Sequence, residues 1–415
     1  MLTRKGVLEV LASIVLLFAG SVGGGIVLYL GGVGLIGILL VGRVRARARH
    51  VEVNVTQPAQ HLVEEGTAAT AVRFTNPGRL PVHAEFEYAL PSSCRVDQGS
   101  PRGDVVLQSG AQESLEFVPR FPLRGEHQVG PVRLRFHDAF RNHVVEQEEG
   151  QAKTLSVFPR RLLLDDFSAT SHFAAWLVGQ HLVNTPGHGM DFFSLREYQP
   201  SDRIRDINWK ASARRSPDHP PIVNQRTRES YAEVLVILDA RASMGFGWET
   251  FNPLAQACRA VVTLLAWVHR RRDDFRLLVV QDDVQEVRPG NPDRQTADVT
   301  GLLTTLVPSG SLEFGSLLEG RLGRVPARAP VVIVTSLESD PSILEVVGNL
   351  RARGHQVSML VPVPPFAANN DRPSEARLSE DGSRQLVGLR SRGARVVEWL
   401  PEEPLALAVA REAGA

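Results

Sequence analysis

Residues 235–245 read LVILDARASMG, an apolar run that ends on an acid, Asp239, with Arg241 and Ser243 close behind. An acid at the mouth of a buried strand has three common uses. It can hold a hard cation such as Mg²⁺, act as a general acid, base or nucleophile, or pair with a neighbouring cation. Arg241 bears on all three, because a guanidinium stays protonated at any cellular pH and brings a fixed positive charge next to Asp239. A catalytic use needs a second group. Ser243 has no histidine signature beside it, and Cys258 falls on the core face of a helical pattern, where a buried thiol is inert.

The elements around Asp239 follow from periodicity. EVLVIL predicts a buried strand. PLAQACRAVVTLLAWVHRRR then places Leu254, Ala257 or Cys258, Val261, Leu264 or Leu265, and Val268 on one face of a helix. FRLLVVQ, a polar hairpin, a helical stretch near 296–306 and the strand VVIVT at 331–335 follow. SILEVVGNLRARG predicts a helix closed by Gly354, QVSMLVPV and RVVEWL two more strands, and an alanine-rich helix ends the chain. The stretch 366–393 is polar and reads as an irregular surface insertion. Apolar strands alternating with amphipathic helices predict a mainly parallel, doubly wound α/β sheet with Asp239 at the carboxyl end of its first strand, where such sheets place their sites.

Upstream the pattern changes. TAVRFTN, VHAEFEYAL, ESLEFVPRF and VRLRFHD alternate with period two between Asn76-Pro77-Gly78, Ser109-Gly110 and Arg124-Gly125. These signals predict an antiparallel, immunoglobulin-like β-sandwich over 51–158. Its histidines His61, His83, His127, His137 and His143 lack metal-ligand spacing and are expected at the surface. Cys94 and Cys258, the two cysteines, lie in different domains and form neither a disulfide framework nor a zinc site, which fits a reducing compartment.

The 415 residues are 43% hydrophobic and 22% charged, so most of the chain folds, and 46 basic against 46 acidic residues remove any global electrostatic argument for nucleic acid. The basic residues are nearly all arginine, which reflects genome composition and no function. From Val10 to Gly42, 33 residues carry no charge. One span needs about 20 residues, so the run suits two short helices hinged at Gly23-Gly24-Gly25. Arg4 and Lys5 precede it and RVRARARH follows from Arg43, which puts both ends in the cytoplasm. One tilted span gives the same orientation; a cleaved signal peptide is the rival and would leave a second apolar stretch on the mature protein. The expected organisation is a transmembrane helical hairpin at 1–45, the sandwich at 51–158, a segment at 159–232 that links and packs the domains, and the α/β domain at 233–415.

That linking segment contains GHGMDFFSLREYQPSDRIRDINWKASARR, from Gly187 to Arg215. It resembles the signature of the bacterial family known as domain of unknown function 58. The matching positions are Gly187, Gly189, Asp191, Phe192, Leu195, Arg196, Glu197, Tyr198, Asp202, Arg205, Ile207, Trp209, Lys210, Ala213 and Arg214. Ser201 departs from the pattern, which has glycine before the aspartate. The resemblance extends to the paired membrane segments, the sandwich stretch RGEHQVGPVRLRFHDAF and the last domain. It implies a bacterial inner-membrane protein with its soluble domains in the cytoplasm, partnered by a MoxR-type AAA+ ATPase and by other von Willebrand A-domain proteins. It implies no established enzymatic activity. The segment itself has two physical readings. In one, acids and arginines pair while Phe192, Tyr198 and Trp209 pack between the domains; in the other, it docks an acidic partner. Asp202 and Asp206 interrupt its basic run, which disfavours phosphate binding and leaves nucleic acid out.

The resemblance also implies a von Willebrand factor A-like last domain, a fold that commonly holds Mg²⁺ through an Asp-x-Ser-x-Ser turn, a threonine and a later aspartate. Asp239 and Ser243 match the outer positions of that turn, but its middle serine is Arg241. The threonine position carries Ser311 or Leu312, and the later aspartate position carries Leu337 beside Glu338. The expectation is therefore a degenerate site of Asp239, Ser243 and Ser311 with an Asp239–Arg241 pair and no cofactor, in a non-enzymatic scaffold or adaptor. Metal-dependent ligand binding with Mg²⁺ near Asp239 is the alternative, and a hydrolase is a third reading supported only by the acid and its hydroxyls.

Overall fold

The computed structural model describes the chain except residues 1–2, 24, 48–49, 58–59, 138–142, 163–185, 201, 203, 215–218, 228–232, 247–251, 327, 338–339, 364–377, 402 and 414–415. Residues 43–47, 186–193, 205, 225–227, 324 and 413 are described by backbone alone. The chain divides into two compact units, Met1–Pro159 and Arg160–Ala415.

The first unit begins with helices α1 (Arg4–Gly23) and α2 (Ile26–Arg47). Helix α1 is long and apolar enough to cross a membrane, and the apolar part of α2, Ile26–Gly42, is shorter. Large side chains such as Leu8, Phe18, Val27 and Leu30 are exposed, whereas Gly6, Ser13 and Gly20 of α1 are buried. The small residues form the seam. A Cβ on Gly20 would lie 2.6 Å from the backbone N of Tyr29, and one on Gly32 would lie 3.0 Å from the carbonyl of Ser13. Close helix approach over small residues is how apolar helices associate without a hydrophobic driving force between them.

The rest of this unit is built of strands. A five-stranded sheet contains β1 (Glu52–Thr56), β3 (Gly66–Thr67), β4 (Thr70–Thr75), β6 (Arg95–Gln98) and β8 (Gln112–Phe121). A four-stranded sheet runs in the order β11 (Val144–Glu149), β10 (Val132–His137), β5 (Val82–Tyr88) and β7 (Arg102–Leu107). The short sheet β2 (His61–Val63), β12 (Lys153–Phe158), β9 (Gly125–Val129) completes it. The larger two sheets share one core, in which Phe74 of β4 meets Phe86 of β5 at 5.1 Å and Tyr88 of β5 meets Phe117 of β8 at 5.4 Å. The alternation that predicts these strands is the burial pattern observed, buried-exposed-buried-exposed along β10. The histidines differ from expectation: His143 is buried, and His127 is half-buried with Nε2 2.9 Å from the Leu123 carbonyl.

The second unit opens with the antiparallel pair β13 (Pro186–Glu197) and β14 (Ile222–Thr227), between which lies a one-turn helix, α3 (Trp209–Ser212). A six-stranded sheet follows: β15 (Glu233–Asp239), β16 (Asp274–Val280), β17 (Val284–Val287), β18 (Pro330–Val334), β19 (Gln356–Pro362) and β20 (Arg395–Trp399). Its order is β17-β16-β15-β18-β19-β20, with only the β16–β17 pair antiparallel. Strand order therefore reverses between β15 and β18, the crevice in which open α/β sheets bind ligands.

Period two explains why β15 is apolar throughout. Val234, Val236 and Leu238 face one core with α4 (Pro253–Arg270), α5 (Pro292–Thr305) and α9 (Leu405–Ala413). Leu235 and Ile237 face the other, with α6 (Phe314–Leu318), α7 (Ser342–Ala352) and α8 (Glu380–Ser391). A strand covered on both sides cannot alternate in polarity.

Three expectations need correction. Helix α4 is buried nearly all round, including Gln256, Arg259 and Thr263, because Leu162 donates its N–H to Thr263 Oγ1 at 2.9 Å and α9 packs on the same core. Helix α5 starts at Pro292, earlier than its apolar periodicity suggests, since Asn291 caps it by accepting from Asp293 N at 3.0 Å. Within the supposed irregular insertion, residues 380–391 form α8, capped by Ser379 and anchored by buried Leu386 and Leu389; residues 366–377 lie outside the described residues.

Candidate functional site

Strand β15 delivers Asp239, fully buried, to the end of the sheet. The chain then turns, with Ala240 N–H donating to the Val280 carbonyl at 2.8 Å and residues 242–245 forming a 3-10 turn. This turn swings Arg241 back over the acid. Arg241 Nε donates to Asp239 Oδ1 at 3.0 Å and Nη2 to Asp239 Oδ2 at 2.9 Å, a two-point fork on one carboxylate. Its backbone N–H adds a third bond to Oδ1 at 3.0 Å, and Thr335 Oγ1, at the end of β18, donates to Oδ2 at 2.9 Å.

The far side of the guanidinium meets a second acid. Arg241 Nη1 donates to Asp340 Oδ2 in a short contact and to the Leu312 carbonyl at 3.0 Å. Asp340 is held from below by Phe314 N–H at 2.8 Å, Ser342 N–H at 3.0 Å and Ser342 Oγ at 2.6 Å. The Phe314 ring lies 5.2 Å beneath the guanidinium carbon. One buried arginine thus ties together the end of β15, the loop before α6 and the loop before α7.

The electrostatics follow from that packing. Burial by itself would raise the proton affinity of Asp340, but its bonds from Ser342, Phe314 and Arg241 outweigh burial and hold it below the usual carboxylate value. Burial would lower Arg241, and the two carboxylates reverse this and raise it. Two carboxylates against one guanidinium give the trio a formal charge of minus one.

Above the trio lies a cavity of about 370 Å³ lined by Arg241, Ser243, Phe246, Ser311, Glu313 and Asp340 among others. Gly310 shapes its wall. Its φ of +97° lies in the left-handed region, and a Cβ there would stand 2.7 Å from the Asp282 backbone N. Asp282 Oδ1 in turn accepts from Ser311 N–H at 3.1 Å.

Of the predicted site residues, the structure brings Asp239 and Arg241 into direct contact and lines the cavity with Ser243 and Ser311. Asp340 is the residue that motif counting missed. The later aspartate was sought at Leu337, which is instead fully buried with φ +56°, and Glu338 lies outside the described residues. The left-handed turn at Leu337 redirects the loop, so the acid that returns to the strand end sits three positions later. Thr335 was also missed; its only sequence signal is its place at the end of the apolar run VVIVT.

The signature residues form a separate cluster on β13 and β14. Arg196 forks onto Asp202, Nη1 to Oδ2 at 2.8 Å and Nη2 to Oδ1 at 2.5 Å, and Asp202 also accepts from Gln199 N–H at 2.8 Å. Asn208 caps α3 through Ala211 N–H at 3.0 Å and donates to Asn224 Oδ1 at 2.9 Å. Tyr198 is half-buried; Glu197, Lys210 and Arg214 are exposed. Trp209 is 64% exposed and projects from a single helical turn with no element of its own unit over it among the described residues. The side chains of Phe192 and Arg205 lie outside the described residues, as does Ser201. None of the described signature side chains lines the cavity above Asp239.

Residues 194–393, from β13 to the turn before β20, match the family described as "Protein of unknown function DUF58". Over these residues the chain is similar to this family. An uncharacterized protein of Mycobacterium bovis is 34% identical over 91 residues, 21% of this chain and 28% of that protein, and an uncharacterized protein of Mycobacterium tuberculosis matches to the same extent. The chain thus covers little more than a quarter of the length of these relatives. Among solved structures, the cupredoxin domain of amoB from Nitrosocaldus yellowstonii is 10% identical, with a TM-score of 0.21 over 26% of this chain and 88% of that one. The FixG-related protein from Vibrio parahaemolyticus is 10% identical, with a TM-score of 0.19 over 25% and 95%. Likeness at this level carries no argument about this chain.

Proposed function

We propose that this protein is a non-enzymatic, membrane-anchored scaffold or adaptor. Its α/β unit acts as a von Willebrand factor A-like domain that is presented in the cytoplasm to a MoxR-type AAA+ ATPase or to that ATPase's clients. The observation that carries the reading is Arg241 pinned between Asp239 and Asp340 at the point where strand order reverses. Every polar atom of that trio is committed to another protein group, an arrangement suited to holding loops in place and poorly suited to turnover. Helix α1, its small-residue seam with α2 and the flanking cations support a transmembrane helical hairpin with both ends inside.

The same trio argues against Mg²⁺ as a resident cofactor. Mg²⁺ demands near-octahedral oxygen ligation, and here both carboxylates already face a guanidinium that cannot lose its proton. Affinity capture of the detergent-solubilised full-length protein from its native cells tests the adaptor reading. Co-purification of an AAA+ ATPase is expected; its absence with the anchor intact would overturn the proposal.

A further inference from the structure

The charge at the strand end selects a partner. A divalent cation between Asp239 and Asp340 would leave the group neutral, whereas the single charge of Arg241 leaves it negative. The cavity above adds Glu313, whose exposed side chain makes no capping bond to α6, and among the described residues that line it Arg241 is the one cation. Arg241 is itself 6% exposed and already bonded to Asp239, Asp340 and Leu312, so it has little to offer an incoming anion. Behind the wall, Asp282 contributes another carboxylate through Ser311 N–H.

The rim is apolar. Phe246, which lines the cavity, is 63% exposed, and Leu312, whose carbonyl accepts from Arg241 and whose neighbours Ser311 and Glu313 line it, is 51% exposed. Arginine is enriched among the side chains that fill such pockets at protein interfaces.

We propose that this cavity docks a basic side chain, arginine above all, carried on an apolar segment of a partner protein, with Glu313 as its charge partner and Phe246 and Leu312 as flanking contacts. The inference deepens the adaptor reading and rests on it, since it takes the carboxyl end of the sheet as the docking face. It gives that face the opposite preference from a metal-loaded site, which draws acidic ligands.

The test uses the full-length protein in neutral detergent and three peptides: acetyl-Leu-Arg-Leu-amide, its citrulline analogue of the same shape without charge, and acetyl-Leu-Glu-Leu-amide. Saturation-transfer NMR detects binding even at millimolar Kd. The arginine peptide is expected to bind at least tenfold more tightly than either other peptide, less so as salt rises. Glu313→Gln should weaken it severalfold, and Glu313→Lys should erase the preference, with unchanged thermal melting in both. Equal binding of the three peptides, preference for the glutamate peptide, no binding, or indifference to Glu313→Lys would each overturn the proposal. Failure to capture an AAA+ ATPase while arginine selectivity persists would instead strike the adaptor reading alone.

Discussion

Replacing Arg241 by serine is the most informative perturbation. Arg241 makes a two-point fork on Asp239 at 3.0 and 2.9 Å, a bond to the Leu312 carbonyl at 3.0 Å and a contact to Asp340. Its loss strands two buried carboxylates, Asp239 at 0% and Asp340 at 8% exposure. Breaking a buried pair from one side costs about 3–5 kcal/mol, because the remaining charge keeps its desolvation penalty. For a unit of this size each kcal/mol shifts Tm by roughly 2–4 °C, so Arg241→Ser should melt about 6–20 °C lower by calorimetry. The variant also restores an Asp-x-Ser-x-Ser turn facing Asp340. Mn²⁺ or Mg²⁺ should then stabilise it, by about 2.7 kcal/mol at a hundred times Kd, while leaving the parent protein unmoved. The pH slopes should differ on the acid side. In the parent, Asp340 is held below its unfolded value, so its contribution is present above about pH 4 and is lost as pH falls through the folded pKa. Arg241 is raised, so its contribution holds across neutral pH and disappears only at strongly alkaline pH. In the variant the bonds from Ser342 and Phe314 remain but the guanidinium's share is lost, so the stability that Asp340 loses on acidification should be smaller than in the parent. A variant as stable as the parent, or a parent that binds Mg²⁺, would refute the reasoning.

Other outcomes follow from single contacts. Arg196→Lys keeps the charge but loses the fork onto Asp202, which is part-exposed; about 1 kcal/mol of local stability should go, seen as faster amide exchange at Gln199 with Tm nearly unchanged. Gly310→Ala must accommodate a Cβ 2.7 Å from Asp282 N at φ +97°, and should cost about 1–3 kcal/mol in thermal melts and disturb the Ser311 wall. Burial pushes the Cys94 thiol up to about 11, so at pH 8 the folded protein should alkylate there roughly 100-fold more slowly than an ordinary thiol, and unfolding should abolish the difference.

The residue pattern alone determined the elements. Strands β15, β18 and β19 are apolar because both faces are covered, and β4, β5, β8 and β10 alternate because one face meets the core of the first unit; these are local consequences of a period of two. The apolar N-terminal run and the signature segment were equally legible, since each is contiguous in sequence. Asp239 and Arg241 were legible as a pair because they are two residues apart.

What only tertiary structure decided is long-range. Asp340 reaches Arg241 from 99 residues away, and Thr335 reaches Asp239 from 96, through a loop whose path depends on a left-handed residue at Leu337. No spacing rule predicts that turn at a buried leucine. Burial of α4 on all sides and exposure of Trp209 likewise depend on which elements lie over them, which local periodicity does not encode. Sequence could say that an acid and an arginine meet at a strand end. The fold added the second acid, and with it the sign of the charge that the site presents.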